Sequence, residues 1–196
     1  MNTFQRGVKR TFDFTAAFIG LLVLLPVFIL VYIMQKIEGK GPAIFSQERI
    51  GKGGKPFRLY KFRTMLVNSK ETEPELVRND DVRISRQGRF LREHHIDELP
   101  QLWNVLIGNM SIVGYRPERQ YYIDKILKHN PDYVLLYCSR PGITSDAALR
   151  NGYTDTMEKM LRRLELDLAY LRHRSIWIDG KIILETLSML VRGKKI

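Results

Sequence analysis

The sequence predicts an α+β protein that is mainly helical. An N-terminal membrane-inserted helix occupies residues 1–40, and a small helical domain with one β-hairpin occupies residues 41–196. Three features lead to this. Phe14 to Met34 is a run of 21 residues without one charge. Gly51-Lys52-Gly53-Gly54-Lys55-Pro56 is a strong turn signal between two strand-like runs. Met157, Leu161, Leu164, Leu168 and Leu171 recur at helical spacing on one face.

Composition narrows the class. A chain of 196 residues holds one domain with a modest core, or one small domain plus an appendage. A hydrophobic share of 44% is too high for a disordered basic tail, and a single Cys excludes a disulfide framework or a multi-Cys zinc site. The net charge of +11 points to a polyanionic partner. No basic nucleic-acid motif or aromatic stacking signature is present, so nucleic acid is not expected.

The uncharged run comes first. As a straight helix it would be about 32 Å long, enough to cross a bilayer core. Its length, and the lack of a small-residue cleavage site after Met34, argue against a cleaved signal peptide. Pro26 near its middle removes an N–H and clashes with the preceding turn, so a kinked span and a re-entrant helix both fit. Arg6, Lys9 and Arg10 precede the run and Lys36 and Lys40 follow it, so positive charge marks both ends. The charge excess is largest in residues 1–56, where it can meet anionic phospholipid headgroups.

In the domain, Ala43–Ile50 and Phe57–Thr64 read as strands, with Lys61 and Arg63 on one face. Residues 68–82 are polar and acidic and read as a loop. A short helix is expected from Asp97 to Ile107, with Leu99, Leu102, Trp103 and Leu106 as its apolar stripe and Pro100 in its first turn. Pro117 is expected to open a helix that stops before Pro131. Thr154–Arg172 is the clearest helix, its apolar stripe a packing face. Lys181–Arg192 is a short amphipathic helix, suited to a membrane surface or to core packing.

The densest chemical text is Arg86 to Arg119. Asp97 and Glu98 fall at a helix start, where the dipole and free N–H groups keep a carboxylate ionised and also welcome a phosphate. An Asp there can be a simple cap. Its company argues for more: Arg86, Arg89 and Arg92 precede it, Arg116 follows before another helix start, and Arg140-Pro141-Gly142 places a further Arg at a turn. Several Arg around an Asp-Glu pair suit a phosphate-bearing substrate. His94, His95, Asp97 and Glu98 are an alternative metal set for a phosphohydrolase, at a spacing that fits no standard zinc pattern. His129, His173 and Cys138 carry no functional signal.

The chain resembles the bacterial sugar transferase family, the small monotopic phosphoglycosyl transferases. The shared blocks, in order, are Lys9-Arg10-Thr11-Phe12-Asp13, Tyr60–Met65, Ile96–Leu106, Met110–Pro117, Arg140–Thr144 and Leu166-Asp167. The resemblance implies transfer of a sugar-1-phosphate from a UDP-sugar to a polyprenyl (undecaprenyl) phosphate, releasing UMP, with Mg²⁺ required, at the start of a surface glycan or polysaccharide pathway. It implies that Asp97 is the nucleophile of a covalent intermediate and that Glu98 assists, the two carboxylates serving as metal ligands. Lys61, Arg92, Arg116 and Arg140 would hold phosphates or the nucleotide, with Arg63 beside Lys61; Asp167 matches a family acid. It also implies a re-entrant helix broken at Pro26, with both ends and the catalytic domain on the cytoplasmic face of the bacterial inner membrane. The chain departs from the family in having Leu25-Pro26 where Ser-Pro is frequent, Tyr115 where Pro is common, and Ser145–Gly152 after the Pro-Gly-Ile-Thr block. The last of these leaves the donor sugar open. Besides the phosphohydrolase, a non-enzymatic basic membrane anchor is a further alternative.

Overall fold

The structure, a computed structural model, describes residues 1–39, 41–66, 81–152 and 154–192. The predicted acidic loop at 68–82 lies almost wholly outside them. The described chain is mostly helical, with one antiparallel hairpin as expected and a short parallel strand pair that was not.

Helix α1 (Thr3–Val23) starts from Asn2, whose side chain accepts from the Gln5 amide, and already includes the charged residues Arg6 to Asp13. It ends at Leu24, and α2 (Leu25–Glu38) leaves at 58° to it. Pro26 lies in the first turn of α2, where its missing N–H has no helical role. The uncharged run is therefore divided into two limbs rather than one straight rod. Neither helix alone is long and apolar enough to cross a membrane; the bent pair together is. Around the bend, Phe18, Leu22, Val23, Leu25, Ile29 and Leu30 are all about half exposed or more, an apolar surface that the protein leaves uncovered.

Both limbs dock on the domain. Ala17 of α1 is fully buried with Leu59, Val105 and Met110, against Leu102 and Leu106. Val31 of α2 packs with Phe62 and Leu91, against Ile96 and Leu99. Polar contacts fix the same joint. Arg10 donates to the carbonyls of Val105 (2.7 Å) and Leu106 (2.9 Å), in the last turn of a helix. Buried Asp13 accepts from Ser111 Oγ (2.7 Å) and the Ile112 amide (3.1 Å).

Strands β1 (Ile44–Ile50) and β2 (Pro56–Phe62) pair antiparallel, Ile44 opposite Phe62 and Ile50 opposite Pro56. The turn needs Gly53 and Gly54, at φ 72° and 70°. After residue 81 come α3 (Arg86–Glu93), a helix that the sequence does not predict, and then a 3₁₀ turn at Ile96–Glu98 and α4 (Gln101–Leu106). The single helix expected over 97–107 is thus two pieces. Bonds of the tighter i→i+3 type run from Leu99 N to Ile96 O, Leu102 N to Leu99 O and Trp103 N to Pro100 O. Asn104 locks α4 to the hairpin edge: its Oδ1 accepts from Tyr60 N (3.1 Å) and its Nδ2 donates to Arg58 O (2.7 Å).

Strand β3 (Ser111–Val113) pairs parallel with β4 (Gly142–Thr144), drawing the Gly114–Pro117 and Arg140–Gly142 turns together. Helix α5 (Gln120–His129) begins three residues later than Pro117. Residues 117–119 stay extended because the Glu118 carbonyl accepts from Ile50 N, and its buried carboxylate meets Arg49 (3.1 Å) and Arg163. A 3₁₀ segment at Pro131–Cys138 and helix α6 (Asp146–Asn151) follow.

Helix α7 (Met157–His173) confirms the predicted helix and its stripe. Leu164 and Leu168 are buried with Ile123, Ile126 and Tyr133, and Met157, Leu161 and Leu171 pack beside them. Helix α8 (Ile176–Val191) starts earlier than expected and does two things. Ile182 is buried with Val113 and Tyr170, while Trp177 (89% exposed), Leu184 and Leu187 form an outward apolar stripe.

One contact at the start of α3 is intolerant of any side chain. The Gly88 amide donates to Ser85 Oγ, and a Cβ on Gly88 would collide with the Thr64 backbone. Gly88→Ala should therefore lower stability by about 1–3 kcal/mol. Gly7→Ala, with nothing within 4 Å of its Cβ position, should be neutral or stabilising. Thermal denaturation of the two variants checks this.

Candidate active site

The Asp-Glu pair is presented by an unusual piece of backbone. Helix α3 ends at Glu93, and His95 then takes a left-handed conformation at φ 54°, the one non-glycine residue with positive φ among the described residues. That turn reverses the chain and starts Ile96–Glu98. Glu98 N closes it on His95 O at 3.3 Å. Ile96 and Leu99 anchor the turn in the cluster under α2, leaving Asp97 and Glu98 to face a group of cations.

Those cations come from three places. Lys61 extends from β2, and its Nζ meets Glu98 Oε1 at 2.5 Å. Arg116, just after β3, places Nη2 3.3 Å from the same oxygen. Arg92, in the last turn of α3, is oriented by Thr64, whose Oγ1 accepts from Nε at 2.9 Å. Arg92 is among the charges that act on Asp97.

The two carboxylates are treated unequally. Burial opposes ionisation of Glu98, but Lys61 and Arg116 overcome it and hold its carboxyl well below the ordinary carboxylate range. No salt bridge reaches Asp97 among the described residues. Burial pushes its carboxyl up to about 6, with Glu98 adding to the rise and Lys61, Arg92 and Arg116 limiting it. The expectation that a helix start would keep Asp97 strongly ionised is therefore corrected. It lies in a one-turn 3₁₀ segment with little dipole to offer, and desolvation outweighs the cations. At neutral pH it is still mostly ionised, and more basic than an ordinary aspartate.

Asp167 meets the backbone of Arg116. It is buried in α7, and its carboxylate accepts from the backbone N–H of Arg116. Burial raises it to about 7 against the pull of Arg163, and its Oδ1 has no partner. It sets the course of the backbone that carries Arg116. Behind the same residue, Glu118 joins Arg49 to Arg163, and no sequence spacing links these three in advance.

Two predicted ligands are not brought to the pair. Arg63 is nearly buried and donates to the carbonyls of Pro42 (3.1 Å) and Gln35 (2.8 Å), while Gln35 donates back to the Arg63 carbonyl. It clamps α2 to the hairpin. β2 ends at Phe62, so the strand alternation that put Arg63 beside Lys61 no longer applies. Arg140 donates through Nε to Gly108 O (2.8 Å) and has Arg10 and Asp13 as charged neighbours, on a separate cavity.

A metal would find two hard carboxylates here, and little more. His94 is exposed and bonded through Nδ1 to its own helix at Phe90 O (2.9 Å). Burial lowers the pKa of His95, opposed by Glu98. Among the described residues no group of three or more His, Cys, Asp or Glu converges on one point, so the alternative histidine-based metal centre is not formed. The Asp97-Glu98 pair does fit Mg²⁺, which takes one or two carboxylates and completes its shell with substrate phosphates and water.

A family model described as bacterial sugar transferase matches residues 4–193. Among similar proteins is a UDP-N-acetylgalactosamine-undecaprenyl-phosphate N-acetylgalactosaminephosphotransferase of Aeromonas hydrophila, 36% identical over 186 residues, covering 95% of this chain and 44% of the relative. A UDP-glucose:undecaprenyl-phosphate glucose-1-phosphate transferase of Caulobacter vibrioides is 42% identical over 185 residues, covering 93% and 69%. A galactosyl transferase of Streptococcus agalactiae is 41% identical over 198 residues, covering 94% and 42%. The chain thus spans less than half the length of two of these three relatives, and their names differ in the sugar. With the family match running almost from end to end, the chain belongs to the bacterial sugar transferase family.

Proposed function

We propose that the chain transfers a sugar-1-phosphate from a UDP-sugar to a polyprenyl phosphate, with Asp97 as the nucleophile. The observation that carries this is the unequal pair: Glu98 is committed to Lys61 and Arg116, and Asp97 stands beside them, buried and unbridged. A carboxylate that no cation neutralises directly, held among cations that can neutralise a substrate, is arranged to attack phosphorus.

In the first step an Asp97 oxygen forms a bond to the sugar-linked phosphorus. The bond from that phosphorus to the bridging oxygen breaks, and UMP leaves with the electron pair. In the second, an oxygen of the lipid phosphate attacks the same phosphorus and Asp97 departs as a carboxylate. Lys61, Arg92 and Arg116 offset the charge on the diphosphate in both steps, and Asp167 keeps Arg116 in place. Mg²⁺ held by Asp97, Glu98 and the diphosphate would add charge neutralisation at the leaving phosphate.

The acceptor is a lipid, and the bent helix pair suits delivery at a membrane. Each apolar limb is about 15 Å long, half a bilayer core. At a bend of 58°, a symmetric V of such limbs dips only about 7 Å, so it enters and leaves one leaflet. Basic residues on both sides of the bend favour the cytoplasmic face for both ends. The outward stripe Trp177, Leu184 and Leu187 on α8 forms a second contact with the interface.

Purified protein with Mg²⁺, polyprenyl phosphate and a panel of UDP-sugars should release UMP from the accepted donor. Asp97→Asn should lower turnover by about 10³-fold or more, and Glu98→Gln, which unfastens Lys61 and Arg116, by about 10²-fold. Full activity in Asp97→Asn would overturn the nucleophile assignment, and sustained release without lipid would favour a hydrolase. Because Asp97 must be ionised and its carboxyl titrates near 6, kcat/KM should be flat above that point and fall about tenfold per pH unit below it. A profile measured between pH 5 and 8 on the same substrates checks the sign. For topology, single-Cys variants near either end of the bent pair, with Cys138 replaced, should label from the same side of sealed vesicles.

A further inference from the structure

Away from the Asp97-Glu98 pair, the start of α1 closes over a cavity of about 120 Å³. Six cations line it: Arg6, Lys9 and Arg10 from α1, Lys52 from the hairpin turn, Arg140 before β4, and Arg174 after α7. Lys9 is neutralised by Asp179 at 2.7 Å. Asp13 also lines the cavity, with its oxygens taken up by Ser111 Oγ and the Ile112 amide. Two carboxylates against six cations leave a surplus of four positive charges.

The hydrogen bonds here do not remove that surplus. Arg10 donates to the carbonyls of Val105 and Leu106, and Arg140 donates through Nε alone to that of Gly108. Carbonyls satisfy donors without cancelling charge, and among the described residues neither terminal nitrogen of Arg140 has a hydrogen-bond partner, which suits a bidentate ligand. Among the described residues, Arg6, Lys52 and Arg174 have no carboxylate partner. Burial and the nearby Arg10 depress the Arg140 pKa, and Asp13 opposes them only in part.

We infer that this cavity is a second anion site, which takes a phosphate group by way of Arg6, Arg140 and Arg174. The site is separate from the Asp97-Glu98 pair and independent of its chemistry. The phosphate can be that of an anionic phospholipid headgroup or a free phosphate. Phe4, Val8 and Phe12 recur every four residues on α1 and are exposed, whereas Arg6, Lys9, Arg10 and Asp13 turn toward the domain. An apolar stripe beside a cationic cavity sets the cavity at headgroup depth if α1 lies on a bilayer.

The cavity contains its own reporter. Cys138 is the only cysteine of the chain, is exposed, and lines the cavity with its sulfur 3.9 Å from Arg174 Nη2. The experiment is the rate of Cys138 alkylation by an uncharged maleimide. The full chain is held in nanodiscs of phosphatidylcholine, in the same nanodiscs with millimolar inorganic phosphate, and in nanodiscs containing phosphatidylglycerol. Labelling should slow by about fivefold where the site is filled, the protection expected at a few times the dissociation constant. Protection by phosphatidylglycerol alone identifies a headgroup site; protection by inorganic phosphate in the neutral nanodisc identifies a free-phosphate site. Equal rates in all three would overturn the inference, with no variant needed. Arg6→Ala with Arg174→Ala should abolish protection, and Arg174→Lys should keep part of it. A control cysteine on the exposed face of α5 (Lys128→Cys with Cys138→Ser) should show none. Equal protection of that control, or protection that survives loss of both arginines, would mean a general surface effect and would also overturn it.

Discussion

Everything at the candidate active site depends on how one short segment, Ile96 to Leu106, is gripped. Its first turn is packed from α2 through Ile96 and Leu99, and its last turn from α1 through Leu102 and Leu106. Arg10 closes its terminal carbonyls, and Asn104 bonds it to the hairpin edge. A helix of six residues cannot hold itself together in water, so its stability is borrowed from these contacts. Helices α1 and α2 are thus part of the fold of the domain.

The same economy appears in the electrostatics. Burying two adjacent carboxylates is unfavourable unless one is neutralised, and Lys61 and Arg116 neutralise Glu98. That choice lets Asp97 be both buried and unbridged. Further out, Asp167 and the Arg49–Glu118–Arg163 group never approach the pair. They fix the backbone and field around Arg116, so the reach of that guanidinium is decided in the core. Such indirect support explains why the cations that matter come from a strand, a helix end and a loop rather than from one motif.

The parts legible in the sequence were those in which one periodicity governs. The hairpin followed from a glycine-rich turn between alternating runs, and α7 from the stripe Met157 to Leu171. The Asp97-Glu98 pair stood out by charge density and by the family blocks. What escaped was decided by long-range contacts. The parallel pairing of β3 with β4 involves two strands of three residues each, too short for any pattern. Helix α5 starts late because Glu118 is claimed by Arg49 and Arg163, residues far away in the chain. Arg63 looked like a ligand because alternation placed it beside Lys61, but the strand ends one residue earlier and its guanidinium is taken by carbonyls of the helix connection. Arg140, likewise, was read from its motif, and the strand pairing carries it to another cavity.

The left-handed turn at His95 has a consequence for how this position can vary. At φ 54° the backbone readily accepts Gly, Asn, Asp or His, and resists Val, Ile or Thr. A library of substitutions at 95 would then sort first by tolerance of backbone handedness and only second by side-chain chemistry. A histidine two residues from the proposed nucleophile invites a role in proton transfer. Its geometry gives a simpler account: the residue is a hinge pin, and its imidazole is free to differ among chains that need only the turn.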